Sequence, residues 1–291
     1  MHSRHKGFEG QVSEVKTSMI KIRTASIADC QGIQSVHAGT PGPWANINEC
    51  IPWISKRIER GYYVQVAELN GEIVGHAEWV ETADPSGKFF YLCVMQIKPN
   101  YQGHGIGRKM VEDGIAQGKI RNCTKLVTIP ELETGSEKFY FKCGFTKGRE
   151  IKSISIPTKD YGYSQNYTEA ASVPFEVIGK YDFILGLDQA SSRHIWEVCN
   201  AKPDNDERKP HTLISPKGDF LQIDSYAPPR AWAICWSNKP TSALVKDILT
   251  LGKSKNFEKI AFEFFEENKQ LFREFDIEIE DYCYELNLLC K

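Results

Sequence analysis

An apolar run, KFFYLCVMQIKP (residues 88–99), passes almost directly into YQGHGIGRKM (residues 101–110), where three glycines stand at alternate positions ahead of a helical pattern. Few sequence features restrict a fold more. A run that apolar predicts a strand buried on both faces, and the spacing after it predicts a helix from about Ile106 to Ile120. Strand, bare-backbone turn and helix in that order present free N–H groups at the positive end of a helix dipole, a site for an anion and most often for phosphate. Glycines at 103, 105 and 107 let that backbone approach a ligand with no Cβ in the way. Two common phosphate loops are excluded. Position 108 is Arg, so the third glycine of G-x-G-x-x-G is missing, and the strand is the fourth along the chain instead of the first. No G-K-[ST] follows, so it is not a P-loop. The pattern that is satisfied is Q-x-x-G-x-G, at Gln102, Gly105 and Gly107.

The surrounding sequence reads as mixed α/β. MIKIRT alternates like a strand, and Ser26 and Asp29 stand where caps precede the helical CQGIQSVHAG. NECIPWISKRIERG has helical spacing and ends on Gly61, and YYVQVAELNGEIVGHAEWVET is two alternating runs joined at Asn70-Gly71, a hairpin. After the glycine turn come a strand in TKLVTIP, a helix in SEKFYFKCGF closed by Gly144, and a strand in KGREIKSISIP. The predicted order is β-α-α-β-β-β-α-β-α-β. In 291 residues, 36 Lys and Arg against 38 Asp and Glu leave a formal charge of -2, which argues against nucleic acid or anionic lipid as partner. Nine cysteines without a C-x-x-C pair read as reduced core residues of a cytoplasmic protein, with no zinc site. No window is apolar enough for a membrane span, and residues 1–18 read as a polar, flexible extension.

VMQIKPNYQGHGIGRKMVEDGI, KLVTIP and SEKFYFKCGF, in that order, resemble the coenzyme A pyrophosphate loop, the next strand and the later helix of the GNAT family of N-acetyltransferases. The resemblance covers residues 19–157. It implies an α/β fold with a mixed, mostly antiparallel central sheet flanked by helices, acetyl-CoA as cofactor, and direct attack of an amine on the thioester. It puts the backbone N–H groups of Gly103, His104, Gly105, Ile106 and Gly107 on the pyrophosphate, with Gln102 ordering the turn. Met95 and Ile97 would meet the pantetheine arm and polarise the thioester carbonyl, as fixed donors toward charge that develops during transfer. Tyr140 matches the family's general acid, which protonates the departing thiolate; a packed helix aromatic is the alternative reading. In several members a Glu on the strand before the loop is the general base, and Tyr91 takes that place here. His76 and Glu78, two residues apart, share a strand face, and Glu78 is the expected base. Glu133, where the family often has Asn, is a second candidate or a solvated loop charge. Trp44 and Trp53 fall in the helical region that borders the family's acceptor site and read equally well as core. Cys93 lacks a sequence-placed His to activate it, so covalent acyl transfer is not expected.

The second half repeats the first in faded form. A connector, residues 158–174, leads to residues 175–291, where Leu244 to Lys259 repeats the fifteen-position step of Met110 to Lys125. The glycine turn is replaced by WSNKPTSALV, with Pro240 and no glycine, and Tyr140 aligns with Phe272. The expected organisation is a GNAT catalytic domain over 19–157 and a degenerate copy over 175–291 that walls the cleft or serves structure. AKPDNDERKP (201–210) reads as a solvated loop or a contact for a basic substrate. Two functions stay open: N-acetyl transfer to an amine of a small molecule, peptide or protein, and a non-catalytic acyl-CoA-binding sensor or interaction protein. Acceptor identity and oligomeric state are not encoded legibly.

Overall fold

The computed structural model describes residues 20–84, 87–132, 134–170, 173–181, 183–186, 192–200, 210–227 and 229–290. The expected extension (1–18), Glu133 and all but the last residue of the run 201–210 lie outside them. The fold is mixed α/β, with a mostly antiparallel sheet flanked by helices. The chain forms two compact units, Met1–Glu78 with Val94–Asp113 and Trp79–Cys93 with Gly114–Lys291.

In the first unit, β1 (Ile20–Thr24) pairs antiparallel with β2 (Tyr63–Leu69), from Ile20↔Leu69 to Thr24↔Gln65. Between them lie α1 (Cys30–Val36) and α2 (Ile47–Glu59). The anticipated cap at Ser26 and Asp29 forms, the Asp29 carboxylate accepting from the Ser26 backbone N–H at 2.8 Å, and a cap not read from the sequence starts α2, where Asn46 Oδ1 accepts from the Asn48 N–H at 2.9 Å. Asn70 (φ 52) and Gly71 (φ 84) both take left-handed backbone, as a two-residue I′ turn requires, and join β2 to β3 (Glu72–Asp84). The strand β4 (Gly87–Ile97) follows, and the strand order in this unit is β1-β2-β3-β4. Helix α3 runs over Ile106–Ile120.

In the second unit, β5 (Lys125–Thr128) lies parallel to β4 through Phe89↔Lys125, Phe90↔Leu126 and Tyr91↔Val127, and α4 (Glu137–Lys142) and β6 (Thr146–Pro157) follow. The chain continues through β7 (Thr168–Glu169), α5 (Phe175–Ile178), β8 (Phe183–Leu185), α6 (Ser192–Asn200), β9 (His211–Ile214), β10 (Phe220–Ala227) and β11 (Arg230–Trp236). Then come α7 (Ser242–Ser254), β12 (Lys259–Phe265), a 3-10 segment at Glu266–Phe272, and β13 (Glu278–Leu289). In the 3-10 segment Leu271 and Phe272 are buried in the core, with the Phe272 ring against Phe262 and Phe264. The short strands β7 and β9 have no counterpart in the sequence reading.

Strand order in this unit is β3-β4-β5-β13-β6-β12-β11-β10-β9-β7. The last strand of the chain therefore lies between β5 and β6, paired antiparallel with both, while β6 is paired on its other edge with β12. Each half thus lends one strand to the other, across the boundary expected between residues 157 and 175. Local geometry repeats as well. Asn122 (φ 57) and Asn256 (φ 62) end α3 and α7 alike. Cys123 N bonds Gly118 O, as Phe257 N bonds Gly252 O, and Asn122 N bonds Lys119 O, as Asn256 N bonds Lys253 O. Every pair stands at the same offset in sequence.

The connector is strapped down. Asp247 accepts from Ser164 N–H and Oγ at 2.7 and 2.6 Å and from Tyr167 Oη at 2.7 Å, and Asp219 accepts from Gln165 Nε2 at 2.7 Å. Among the described residues, no helix is long and apolar enough to cross a membrane.

Candidate active site

The glycine turn is built as a cradle. After a 3-10 turn at Pro99–Tyr101, Gly103 (φ 79) and Gly105 (φ 77) adopt left-handed backbone, which a side chain would strain. A Cβ on Gly103 would meet no atom within 4 Å, so no local packing demands the glycine there. Gln102 Nε2 donates to the Ile97 carbonyl at 3.0 Å, tying the turn to the end of β4, and Lys109 N donates to the Gly105 carbonyl at 3.1 Å, the first bond of α3. The His104 ring Nδ1 lies 2.8 Å from the Gln102 carbonyl. Lys98 and Tyr101 hold Glu72 at 2.7 Å each. Ile106, 1% exposed, seats the helix start, and Gly107 is its second residue. These amides, at the start of a fifteen-residue helix, suit a pyrophosphate.

Met95 and Ile97 stand on β4, two residues apart, so their backbone groups share one strand edge. Lys98 N donates to Val74 O at 3.0 Å from the opposite edge. The Ile97 carbonyl is already taken by Gln102, so what that residue offers a ligand is its N–H.

Tyr140, in the second unit, is 8% exposed on α4, edge-on to Phe139 and Phe145 with ring centroids 5.1 and 5.4 Å away. Burial pushes its phenol up to about 12, with the neighbouring Thr128 side chain opposing that shift. The group keeps its proton throughout the neutral range, as an acid must. Thr128 itself bonds the Leu92 carbonyl at 3.2 Å, just past the last β4–β5 pair. The Tyr91 ring lies 5.8 Å from that of His194 on α6.

Glu78 is the centre of a polar cluster within the first unit. It is 1% exposed; Oε1 accepts from Trp44 Nε1 at 2.9 Å and Trp53 Nε1 at 3.0 Å, and Oε2 lies 3.2 Å from Arg57 Nε. His76 does share its strand face, with Nε2 3.7 Å from Oε1. His76 Nδ1 is 2.9 Å from His37 Nε2, and the His37 ring stacks on Trp44 at 4.6 Å. Burial holds both imidazoles near pKa 3, and for His37 the neighbouring His76 lowers it further. They are neutral. Glu78, the expected base, is thus a buried carboxylate with Oε1 engaged by two indole N–H groups and Oε2 beside a guanidinium, contacts that hold the two indoles and Arg57 near it. Sequence reasoning overlooked His37 and Arg57. Arg57 stands four residues after Trp53 on α2, a spacing that stacks the two side chains, and that signal was available.

Residues 36–145 match the sequence profile of the acetyltransferase (GNAT) family. The chain is 27% identical over 147 residues, 46% of its length and 85% of the relative's, to the L-methionine sulfoximine/L-methionine sulfone acetyltransferase of Salmonella typhimurium. It is 29% identical over 127 residues, 40% of its length and 73% of the relative's, to the L-amino acid N-acyltransferase MnaT of Escherichia coli. A GCN5-related N-acetyltransferase of Anabaena variabilis shares the fold, with a TM-score of 0.66 over 94% of this chain and 73% of that one, at 11% identity.

Proposed function

We propose, for a chain that belongs through residues 36–145 to the acetyltransferase (GNAT) family, that it is an N-acetyltransferase using acetyl-CoA on the amine of a small molecule. The observation that carries this reading is the left-handed turn at Gly103 and Gly105, tied by Gln102 to Ile97 and opening a long helix. Acetyl-CoA, when bound, supplies an acyl group activated as a thioester. The amides of residues 103–107 hold its diphosphate charge, the Met95 and Ile97 edge orients the rest, and Tyr140 keeps a proton for the departing thiolate. Both named relatives act on amino acids or their analogues, so L-amino acids are the first acceptors to test.

The second half, residues 175–291, reads as a degenerate copy of the same fold. The repeated Asn122 and Asn256 turns and the parallel pairs β4–β5 and β11–β12, each bridged by a helix, support that reading. A second function, acyl-CoA binding without turnover, is favoured by one observation: Glu78 Oε1 is already engaged by two indole N–H groups.

Calorimetric titration with acetyl-CoA tests the reading. The wild type is expected to bind with a dissociation constant on the order of micromolar, and Gly105→Glu, which brings a carboxylate to the anion cradle, is expected to abolish binding. No heat from the wild type would remove the cofactor and the enzyme together. Binding without acetyl transfer to any L-amino acid would leave the sensor reading.

A further inference from the structure

The cluster around Glu78 holds an unusual number of polar atoms that the fold leaves unused. Arg57 Nη2, His37 Nδ1 and His76 Nε2 are buried and have no hydrogen-bond partner, and Arg57 Nε, 3.2 Å from Glu78 Oε2, is too poorly aligned to count as bonded. Arg57 is 4% exposed, His37 1% and His76 0%. Folded chains pair nearly all such groups, and several orphans gathered about one carboxylate call for a ligand or water to complete them.

Their chemistry specifies what completes them. The guanidinium is clamped between two aromatic faces, 4.1 Å from the Trp53 centroid and 4.3 Å from that of Tyr62, so it cannot turn to find another partner. A flat cation with unpaired N–H groups fits a carboxylate. The histidine pair supplies the complement. Because His76 Nε2 faces a carboxylate oxygen, it carries the proton; a lone pair there would be repelled. His76 Nδ1 then accepts, His37 Nε2–H donates across the 2.9 Å bond, and His37 Nδ1 is left as a bare lone pair. A buried acceptor of that kind fits an amine N–H. Arg57 and Glu78 carry opposite charges and the imidazoles are neutral, so the cluster sums to zero and tolerates only a ligand group that also sums to zero. Trp44 and Trp53 are its half-buried members.

We infer that this cluster is the acceptor subsite for a zwitterion, with Arg57 on the carboxylate and His37 on the amine end of a free α-amino acid. The inference rests on the acyl-transfer reading above and adds a specificity-determining residue to it. Glu78 is then the counterion that keeps Arg57 in place, a positioning residue.

The test compares amino acids with the same molecules lacking the carboxyl group: L-methionine, L-leucine and L-phenylalanine against methylthiopropylamine, isoamylamine and phenethylamine. The wild type is expected to show kcat/KM higher for the amino acid by about 100-fold, carried by KM, and Arg57→Lys, which keeps the charge and loses the planar fork, is expected to reduce that ratio by about 10-fold or more. Equal use of both series by the wild type, or a ratio that Arg57→Lys leaves unchanged while both rates fall together, would overturn the subsite. Titration of each pair into protein loaded with CoA reads the same preference without turnover. Carboxylate-selective binding with no acetyl transfer would sink the enzyme reading and keep the subsite; transfer to amines with no carboxylate preference would do the reverse.

Discussion

At the scale of single residues, three buried groups, Tyr140, His37 and His76, carry predictions about the proposed chemistry and about acid sensitivity. Tyr140 holds its proton to about pH 12, so Tyr140→Phe keeps the ring packing against Phe139 and Phe145 and removes only the donor. We expect kcat to fall by about 100-fold or more, with KM for acetyl-CoA little changed, in a steady-state assay of thiol release. An equal loss in both parameters would point to packing instead. His37 and His76 act on stability. An unfolded chain protonates them near 6.5, whereas the folded chain holds off until about 3. Between those values the unfolded state binds more protons, so stability is lost as pH falls below about 6.5 and is unaffected by these groups above it. The check is proton NMR: of the seven histidines, two are expected to keep neutral imidazole shifts at pH 5. Titration of all seven near 6.5 would contradict the buried pair.

At the scale of elements, glycines in α3 and α7 mark how closely each rests on its neighbouring strand. A Cβ on Gly252 would come 2.6 Å from Ile260 Cδ1 and 2.9 Å from Thr158 Cγ2, while one on Gly118 would lie 3.3 Å from Leu126 Cδ1 and Cys290 Sγ. Gly252→Ala is therefore expected to destabilise by about 1–3 kcal/mol in urea unfolding, and more than Gly118→Ala. Elements of this kind were the legible part of the sequence. Local signals fixed the Asn70-Gly71 hairpin and both ends of α3, because turn backbone and helix period are written in consecutive residues. Partners distant in sequence were not legible. Nothing in DIEIEDYCYELNLL says that it lies between β5 and β6, since alternation sets which face a strand buries but not which strand it sits beside. The cluster around Glu78 was half visible for the same reason: the His76 and Glu78 spacing is local, whereas the indole and guanidinium partners come from α2 and the loop before it.

At the scale of the whole chain, the exchange of β6 and β13 decides whether either half is a folding unit. Leu286, fully buried on β13, pairs with Thr128 of β5 on one edge and Lys147 of β6 on the other, and Glu285, 1% exposed, holds Arg149 of β6 at 2.7 Å. A chain ending before β13 leaves β5 and one edge of β6 with open backbone groups and leaves Arg149 without that partner. The converse fragment lacks β6 beside β12, where seven residue pairs run from Lys259↔Pro157 to Phe265↔Ile151. Residues 19–157 and 158–291 expressed separately are therefore expected to be aggregated or unfolded, and co-expression is expected to return a soluble, acetyl-CoA-binding pair. The same coupling predicts one unfolding transition for the intact chain by circular dichroism and by tryptophan fluorescence. If residues 19–157 alone were to fold and bind acetyl-CoA with wild-type affinity, the exchanged strand would be dispensable to that half. If only the pair folds, residues 158–291 are retained because residues 19–157 cannot close their sheet without β13.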